Sequence, residues 1–329
     1  MQFLPPVFLT LLGILLMGKG SDWLTDSLIP IARRLGVSGI AVGLILVSVA
    51  VSLPEILVAV AASVQGYPAI SLGVVLGSII CNIGLMTGLC AVIRPLRVKK
   101  TLILRDGIFS IIIPLLIFAI GAGGEITRLE GGALFLLFIP YIFNIVLQEK
   151  QQSPEARSQE MHEIEVELDL LGFTFGKLKQ GWTAFLLGTV LLLVGTHLFA
   201  TQLVWFAGTL GLDELLIGLT LGAIGPSLPN VVAAYQATRR GMGDIAVSET
   251  LGSNVFTLLV TLGIAAMLSP VAISSHWLSF ELPALIVMSF LLFAFLLTRN
   301  TISRLEGSLL LGGYLAIVAA QIAMSVAVG

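Results

Sequence analysis

Residues 43–82 and 218–257 are two copies of one apolar segment, related without a gap by a single offset of 175 positions. The first copy carries Gly43-Leu44, Ser52-Leu53-Pro54-Glu55 and Gly77-Ser78-Ile79-Ile80-Cys81-Asn82. The second carries Gly218-Leu219, Ser227-Leu228-Pro229-Asn230 and Gly252-Ser253-Asn254-Val255-Phe256-Thr257. The same offset pairs Gly13 with Gly188, Gly20 with Gly195 and Gly36 with Gly211. Duplicated apolar halves whose matching helices are interrupted at Pro and Gly mark a secondary-transporter architecture, with a site at the repeat interface.

Hydrophobic residues fill 57% of the 329 positions and charged residues 11%, far from the roughly half and quarter of a soluble domain. Ten stretches reach the spanning length of about 20 residues: 4–32, 39–64, 69–92, 102–121, 130–147, 182–208, 213–238, 244–268, 278–297 and 306–327. They predict an all-α polytopic membrane protein with no room for a separate soluble domain. The first stretch is apolar like a secretory leader, but its first Lys, Lys19, follows the apolar run instead of preceding it. Its match to residues 182–208 marks it as a retained first helix. Cys81 and Cys90 both fall in the third stretch and read as small buried hydrophobes.

With ten crossings, one set of loops holds Arg33 and Arg34, Arg94, Arg97, Lys99 and Lys100, Lys150, Arg157, Lys177 and Lys179, Arg239 and Arg240, and Arg299 and Arg304. The opposite loops hold Arg128 alone. Lys and Arg accumulate on the cytoplasmic side, which puts both termini outside the cell (inner) membrane and the 148–181 loop in the cytoplasm. Five crossings per half is an odd number, so the halves insert with opposite orientation. The expected organisation is a first five-helix repeat over 1–147, a cytoplasmic linker over 148–181 and a second repeat over 182–329. The linker's acidic alternation at 163–169 lacks the central Gly of a calcium loop and reads as a solvated connector.

Within the second crossing, Pro54 has no N–H and its ring clashes with the preceding turn, releasing carbonyls of residues 48–51 from the helix ladder. A free carbonyl in lipid needs protein, water or an ion to satisfy it. Glu55 stands beside those carbonyls, and an intramembrane carboxylate marks function by default. Carbonyls, a hydroxyl and a carboxylate form a hard oxygen site suited to Ca²⁺ or Na⁺. Lys19, the intramembrane lysine, has a local partner in Asp22 three residues on. Ser78 and Asn82 share a helix face in the third crossing, as do Glu249, Ser253 and Thr257 in the eighth.

These motifs resemble those of the sodium/calcium exchanger, or cation/calcium antiporter, superfamily of prokaryotic type, and the resemblance covers essentially the whole chain. The family motif Gly-Thr-Ser-Leu-Pro-Glu stands here as Ala50-Val51-Ser52-Leu53-Pro54-Glu55 and, in the second copy, as Gly225-Pro226-Ser227-Leu228-Pro229-Asn230. The companion motif, Gly-Ser-Asn-Ile-Phe-Asn or Asp, stands as Gly77–Asn82 and Gly252–Thr257. The resemblance implies ten transmembrane helices in two inverted five-helix repeats, exchanging Ca²⁺ against Na⁺ or H⁺ by alternating access. It implies cation ligands at Glu55, Ser52, Ser78 and Asn82 in one half, and at Ser227, Ser253 and the Ala223 carbonyl in the other. Asn230 and Thr257 hold the remaining motif positions.

The chain departs from that pattern where charge is concerned. The motif Thr is Val51 and Pro226, the second motif Glu is Asn230, and the late Asn or Asp is Thr257. Two unit charges about 4 Å apart interact by roughly 4 kcal/mol even at an effective dielectric of about 20, so one lost carboxylate weakens a Ca²⁺ site by orders of magnitude unless replaced. Glu249, which faces Val74 in the alignment, is the candidate replacement, with an access-path role as its alternative. An H⁺-coupled or monovalent exchanger is therefore the rival reading. A membrane enzyme is disfavoured, since no Cys/His set has metal-ligand spacing and three His assemble no Ser-His-Asp arrangement. His197, matched to Asp22, reads as structural, and a non-transporting sensor with a decayed site is the third class. The implied partners are inorganic cations and the lipid bilayer. No cofactor beyond the transported cations and no nucleic acid is implied, and protein partners are left undefined.

Overall fold

The computed structural model describes the backbone of residues 3–34, 40–151 and 181–328. The connector at 152–180, with its acidic stretch 163–169, lies outside the described residues. Ten helices follow in chain order. The first half has α1 (Leu4–Arg34), α2 (Ile40–Val64), α3 (Pro68–Ile93), α4 (Ile103–Gly121) and α5 (Arg128–Gln151). The second has α6 (Trp182–Leu210), α7 (Glu214–Arg240), α8 (Gly243–Leu268), α9 (Trp277–Arg299) and α10 (Arg304–Val328). Nine of the described stretches are long and apolar enough to cross a membrane, and Ser52–Val64 of α2 adds a shorter apolar one. The protein is a ten-helix membrane protein built as two inverted five-helix repeats.

Burial sorts the helices into two shells. The apolar windows of α3, α7 and α8 are 89%, 72% and 78% buried, whereas those of the other spans reach at most 39%. Large apolar side chains on α1, α5, α6 and α10, such as Leu11, Phe143, Leu186 and Leu315, stay exposed, as they must where the surrounding solvent is lipid. The inner helices hold Ser78, Asn82, Ser227, Asn230, Ser253 and Thr257, and the outer ones turn large apolar side chains outward.

Contacts repeat across the two halves with a common logic. Gly13 faces Gly195 and Gly20 faces Gly188 where α1 crosses α6, and a methyl added at Gly20 would lie 2.6 Å from the Gly188 carbonyl oxygen. Since the sequence offset pairs 13 with 188 and 20 with 195, an operator that swaps the halves maps one contact onto the other. Small residues here let two backbones touch where lipid supplies no hydrophobic drive. α4 packs on α9 in the same self-matched way. The fifth helices are exchanged: α5 packs on α8 and α10 packs on α3, with Gly131 against Gly263 and Gly307 against Gly88.

Short strands and caps fix these exchanged helices. β1 (Leu96–Arg97) pairs antiparallel with β4 (Thr301–Ile302), and β2 (Glu125–Ile126) with β3 (Val271–Ala272), one ribbon at each end of the bundle. After β2, Thr127 N donates to Glu130 Oε2 at 2.8 Å and Glu130 N to Thr127 Oγ1 at 3.3 Å. After β4, Ser303 N and Glu306 Oε2 meet at 2.7 Å, and Glu306 N reaches Ser303 Oγ at 3.3 Å. Both are reciprocal capping boxes that satisfy orphan N–H groups at a helix start. Between the cap residues, Arg128 donates to the Leu268 carbonyl at 3.5 Å and Arg304 to the Ile93 carbonyl at 3.2 Å, closing the last turns of α8 and α3. The matching runs Thr127–Gly131 and Ser303–Gly307 are displaced by 176 positions, one more than the offset of 175 upstream.

Candidate cation site at the repeat interface

The inner helices are not regular α-helices. α3 carries a π turn at Asn82–Thr87, α8 at Thr257–Thr261, and α7 at Gly218–Gly222. Each inserts one residue into the hydrogen-bond register, a distortion that recurs at functional sites. The first two begin at the matched pair Asn82 and Thr257. Pro54, Pro226 and Pro229 lie inside α2 and α7, so the carbonyls of Ala50, Gly222 and Gly225 lose the N–H four residues on. Apolar sequence makes these segments helical, and Pro with the π turns makes them helices with free oxygens near the middle.

All ten residues singled out from the sequence are buried, the most exposed being Glu249 at 7%. The structure brings Glu55, Ser227 and Asn230 together across α2 and α7. Ser227 Oγ donates to Glu55 Oε1 at 3.0 Å, and Asn230 Nδ2 approaches the same oxygen at 3.5 Å. Across α3 and α8, Asn82 Nδ2 donates to Ser253 Oγ at 3.1 Å and approaches Asn254 Oδ1 at 3.5 Å. Ser52, Ser78 and Thr257 are buried on the same helices, and Ala223 follows the π turn of α7. Glu55 Oε2, Ser52 Oγ, Ser78 Oγ and Asn82 Oδ1 have no hydrogen-bond partner. A buried oxygen left this way costs about 1–3 kcal/mol. Ser52, Glu55, Ser78 and Asn82, all in the first half, thus each present one unsatisfied oxygen.

Glu249 stands apart from this set. Thr250, its chain neighbour, meets Thr87 at 2.6 Å, roughly one turn beyond Asn82 toward the β1–β4 end. Among the described residues no group of three His, Cys, Asp or Glu assembles. Both cysteines are free and buried, as expected.

Three features escaped the reading of the sequence. Asp22 pairs with Lys19 at 2.8 Å as anticipated, yet it also lines a narrow crevice with Pro54, Pro229 and Asn230. That brings a second acid, with its own cation, up to the site. The other two are Asp106 and Glu281, buried acids at matched positions of α4 and α9, both 1% exposed. The signal was available, since the offset of 175 joins them and an intramembrane acid is informative by itself.

The sodium/calcium exchanger protein family model matches residues 6–147 and 180–323. The chain is 30% identical to the sodium/calcium exchanger MaX1 of Methanosarcina acetivorans, over 93% of this chain and 95% of that one. It is 29% identical to the inner membrane protein YrbG of Escherichia coli, over 93% and 94% of the two chains. Among solved structures, the sodium-calcium exchanger NCX_Mj soaked with 2.5 mM Na⁺ and 0.1 mM Ca²⁺ superimposes with a TM-score of 0.65 at 28% identity, covering 96% of this chain and 98% of that one. Inverted repeats, paired Pro-broken helices and a buried oxygen cluster agree with these likenesses, and the chain belongs to the sodium/calcium exchanger family.

Proposed function

We propose that the protein is a secondary antiporter that exchanges Ca²⁺ against Na⁺ by alternating access around Glu55. Ser52, Ser78 and Asn82 are its ligands in one half, and Ser227, Ser253 and the Ala223 carbonyl in the other, with Asn230 and Thr257 shaping the site. The observation that carries this reading is the set of four unsatisfied buried oxygens on Ser52, Glu55, Ser78 and Asn82. Hard oxygens without donors suit a hard cation, and burying them without one is costly. Membership of the exchanger family supports a cation/calcium antiporter, and no step calls for a cofactor or an enzymatic group.

A second reading has its own support. Asn230 replaces the acid expected in the second half and turns its amide toward Glu55 Oε1, so the centre carries less negative charge. That favours H⁺ coupling or a monovalent substrate. Uptake of ⁴⁵Ca²⁺ into proteoliposomes under imposed Na⁺ or H⁺ gradients decides the matter. Na⁺-driven uptake supports the first reading and H⁺-driven uptake the second. Binding without flux under either gradient would mean a sensor.

For topology we propose that the end bearing β1 and β4 is cytoplasmic. The loops that carry Arg94, Arg97, Lys99, Lys100, Arg239, Arg240, Arg299 and Arg304 all belong to that end. Arg128, at the opposite end, is engaged on the Leu268 carbonyl. Repeats over 1–147 and 182–329, joined by a cytoplasmic linker at 148–181, accord with the gap in the family match at 148–179. Both termini are then outside an inner membrane.

A further inference from the structure

At the end bearing β2 and β3 lies a cavity of about 820 Å³, bordered by the starts of α3, α7 and α9 and the end of α10. That volume lies in the range of about 300–1,000 Å³ typical of small-molecule sites. Leu216, Trp277 and Met324 form part of its apolar wall, and Asp213, Glu281 and Gln321 supply polar groups. Among the described residues that line it there is no Lys or Arg. Glu281 is 1% exposed and Gln321 is 5% exposed. Glu281 Oε2 and Gln321 Nε2 have no hydrogen-bond partner. His276 Nε2 lies 3.2 Å from Glu281 Oε1, but that imidazole is 45% exposed at the rim and is charged only when protonated.

The matched place in the other half shows what is missing. Asp106, the counterpart of Glu281, is held by the neighbouring Arg105, whose Nε and Nη2 donate to its two oxygens at 2.9 and 2.7 Å. Tyr141 adds a hydroxyl at 3.1 Å. The offset of 175 puts Phe280 where Arg105 stands, and Phe280 stacks on His276 instead, with ring centroids 6.2 Å apart. One half therefore has a built-in guanidinium on its buried acid. The other has the acid, an apolar-walled space and no permanent cation.

We propose that this cavity is a binding site for an amphipathic organic cation, an ammonium or guanidinium group on an apolar body, whose charged head meets Glu281 Oε2. A bare metal ion would leave most of the volume and the apolar wall unused. Leu219, which also lines the cavity, packs directly on Gly77, the residue before Ser78. An occupant therefore bears on the contact between α3 and α7 and slows exchange.

The test is titration of n-octylguanidinium into the full-length protein in phosphatidylcholine nanodiscs, with empty discs as the blank and n-octanol and octanoate as controls. Saturable binding at one site per chain is expected for the guanidinium and not for the controls. Glu281→Gln should weaken it at least tenfold. Phe280→Arg, which leaves Glu281 in place and supplies the guanidinium internally, should do the same and guards against misfolding of the first variant. Octanol binding as well as the cation, or wild-type affinity in a folded Phe280→Arg protein, would overturn the proposal. Discs containing phosphatidylethanolamine identify the source. A lower apparent affinity there means that a lipid amine occupies the site, and an unchanged one means a soluble amine.

Discussion

The segments Thr127–Gly131 and Ser303–Gly307 correspond in residue type and in every contact described for them, while Glu55 and Asn230 correspond in place and burial but not in charge. The first pair caps a helix, closes the end of the facing helix and seats a glycine on a glycine, each in mirror fashion. In the second pair, one residue is a buried carboxylate and the other an amide that turns toward it. Backbone packing in lipid has few solutions, so both copies of the duplicated unit keep the same one. Charge at the centre has no such constraint once two halves share a single site. On the proposed reading the sum of charges binds the cation, so one half can lose its acid if the other half or the cargo adjusts.

The largest effect that would break this contrast is at Glu55. Glu55→Gln should reduce exchange to below about 1% of wild type, since it removes the carboxylate at the centre of the site. Gel filtration and helical circular dichroism should stay near wild type. A well-folded variant with normal flux would remove Glu55 from the site.

Next come Gly20→Leu and its mate Gly195→Leu. A Cβ at Gly195 would lie 2.8 Å from the Gly13 carbonyl oxygen, much as one at Gly20 meets Gly188. Each should destabilise by about 1–3 kcal/mol, read as a lower melting temperature in detergent. The two costs should agree, and a large inequality would mean that the α1–α6 crossing is less symmetric than its contacts.

Asn230→Glu restores an acid to the second half. Calorimetry should show Ca²⁺ bound at least tenfold tighter, a gain of about 1.4 kcal/mol or more. Unchanged or weaker binding would mean that the second-half oxygens no longer converge on the cation. Thr127→Ala and Ser303→Ala should each cost about 1 kcal/mol through loss of a cap, and equally so, as thermal unfolding can check. Smallest at equilibrium is Glu249→Gln, which has no mate. It should slow exchange from the β1–β4 side alone, and less so at high salt. A clear loss of equilibrium Ca²⁺ affinity would make Glu249 a ligand instead.

Much of the fold was legible because its signals are local. Apolar runs of spanning length gave the ten helices, and paired Pro and Gly exposed the duplication. The caps are equally legible, as Thr or Ser followed three residues on by Glu. The exchange of fifth helices was not, since the apolar pattern of α5 says that it meets lipid or protein without saying which helix. The π turns have no local signature, and they shift the faces of α3 and α8 beyond Asn82 and Thr257. Residue types alone pointed to Glu55, Ser227 and Asn230, which the structure brings together. The approach of Asp22 to Asn230 depends on how α1 crosses the bundle, which no spacing reveals.

The exchange of fifth helices also bears on how the chain is made. α5 leaves the ribosome well before α8 exists, so the first half spends part of its synthesis with α5 unpartnered and α3 lacking its cover, α10. Apolar composition lets α5 wait in lipid, but the polar face of α3 at Ser78 and Asn82 has to wait as well. Neither half is a finished unit until the last helix arrives. Two halves produced as separate fragments would each carry the docking surface the other lacks, and should assemble when expressed together while degrading when expressed alone.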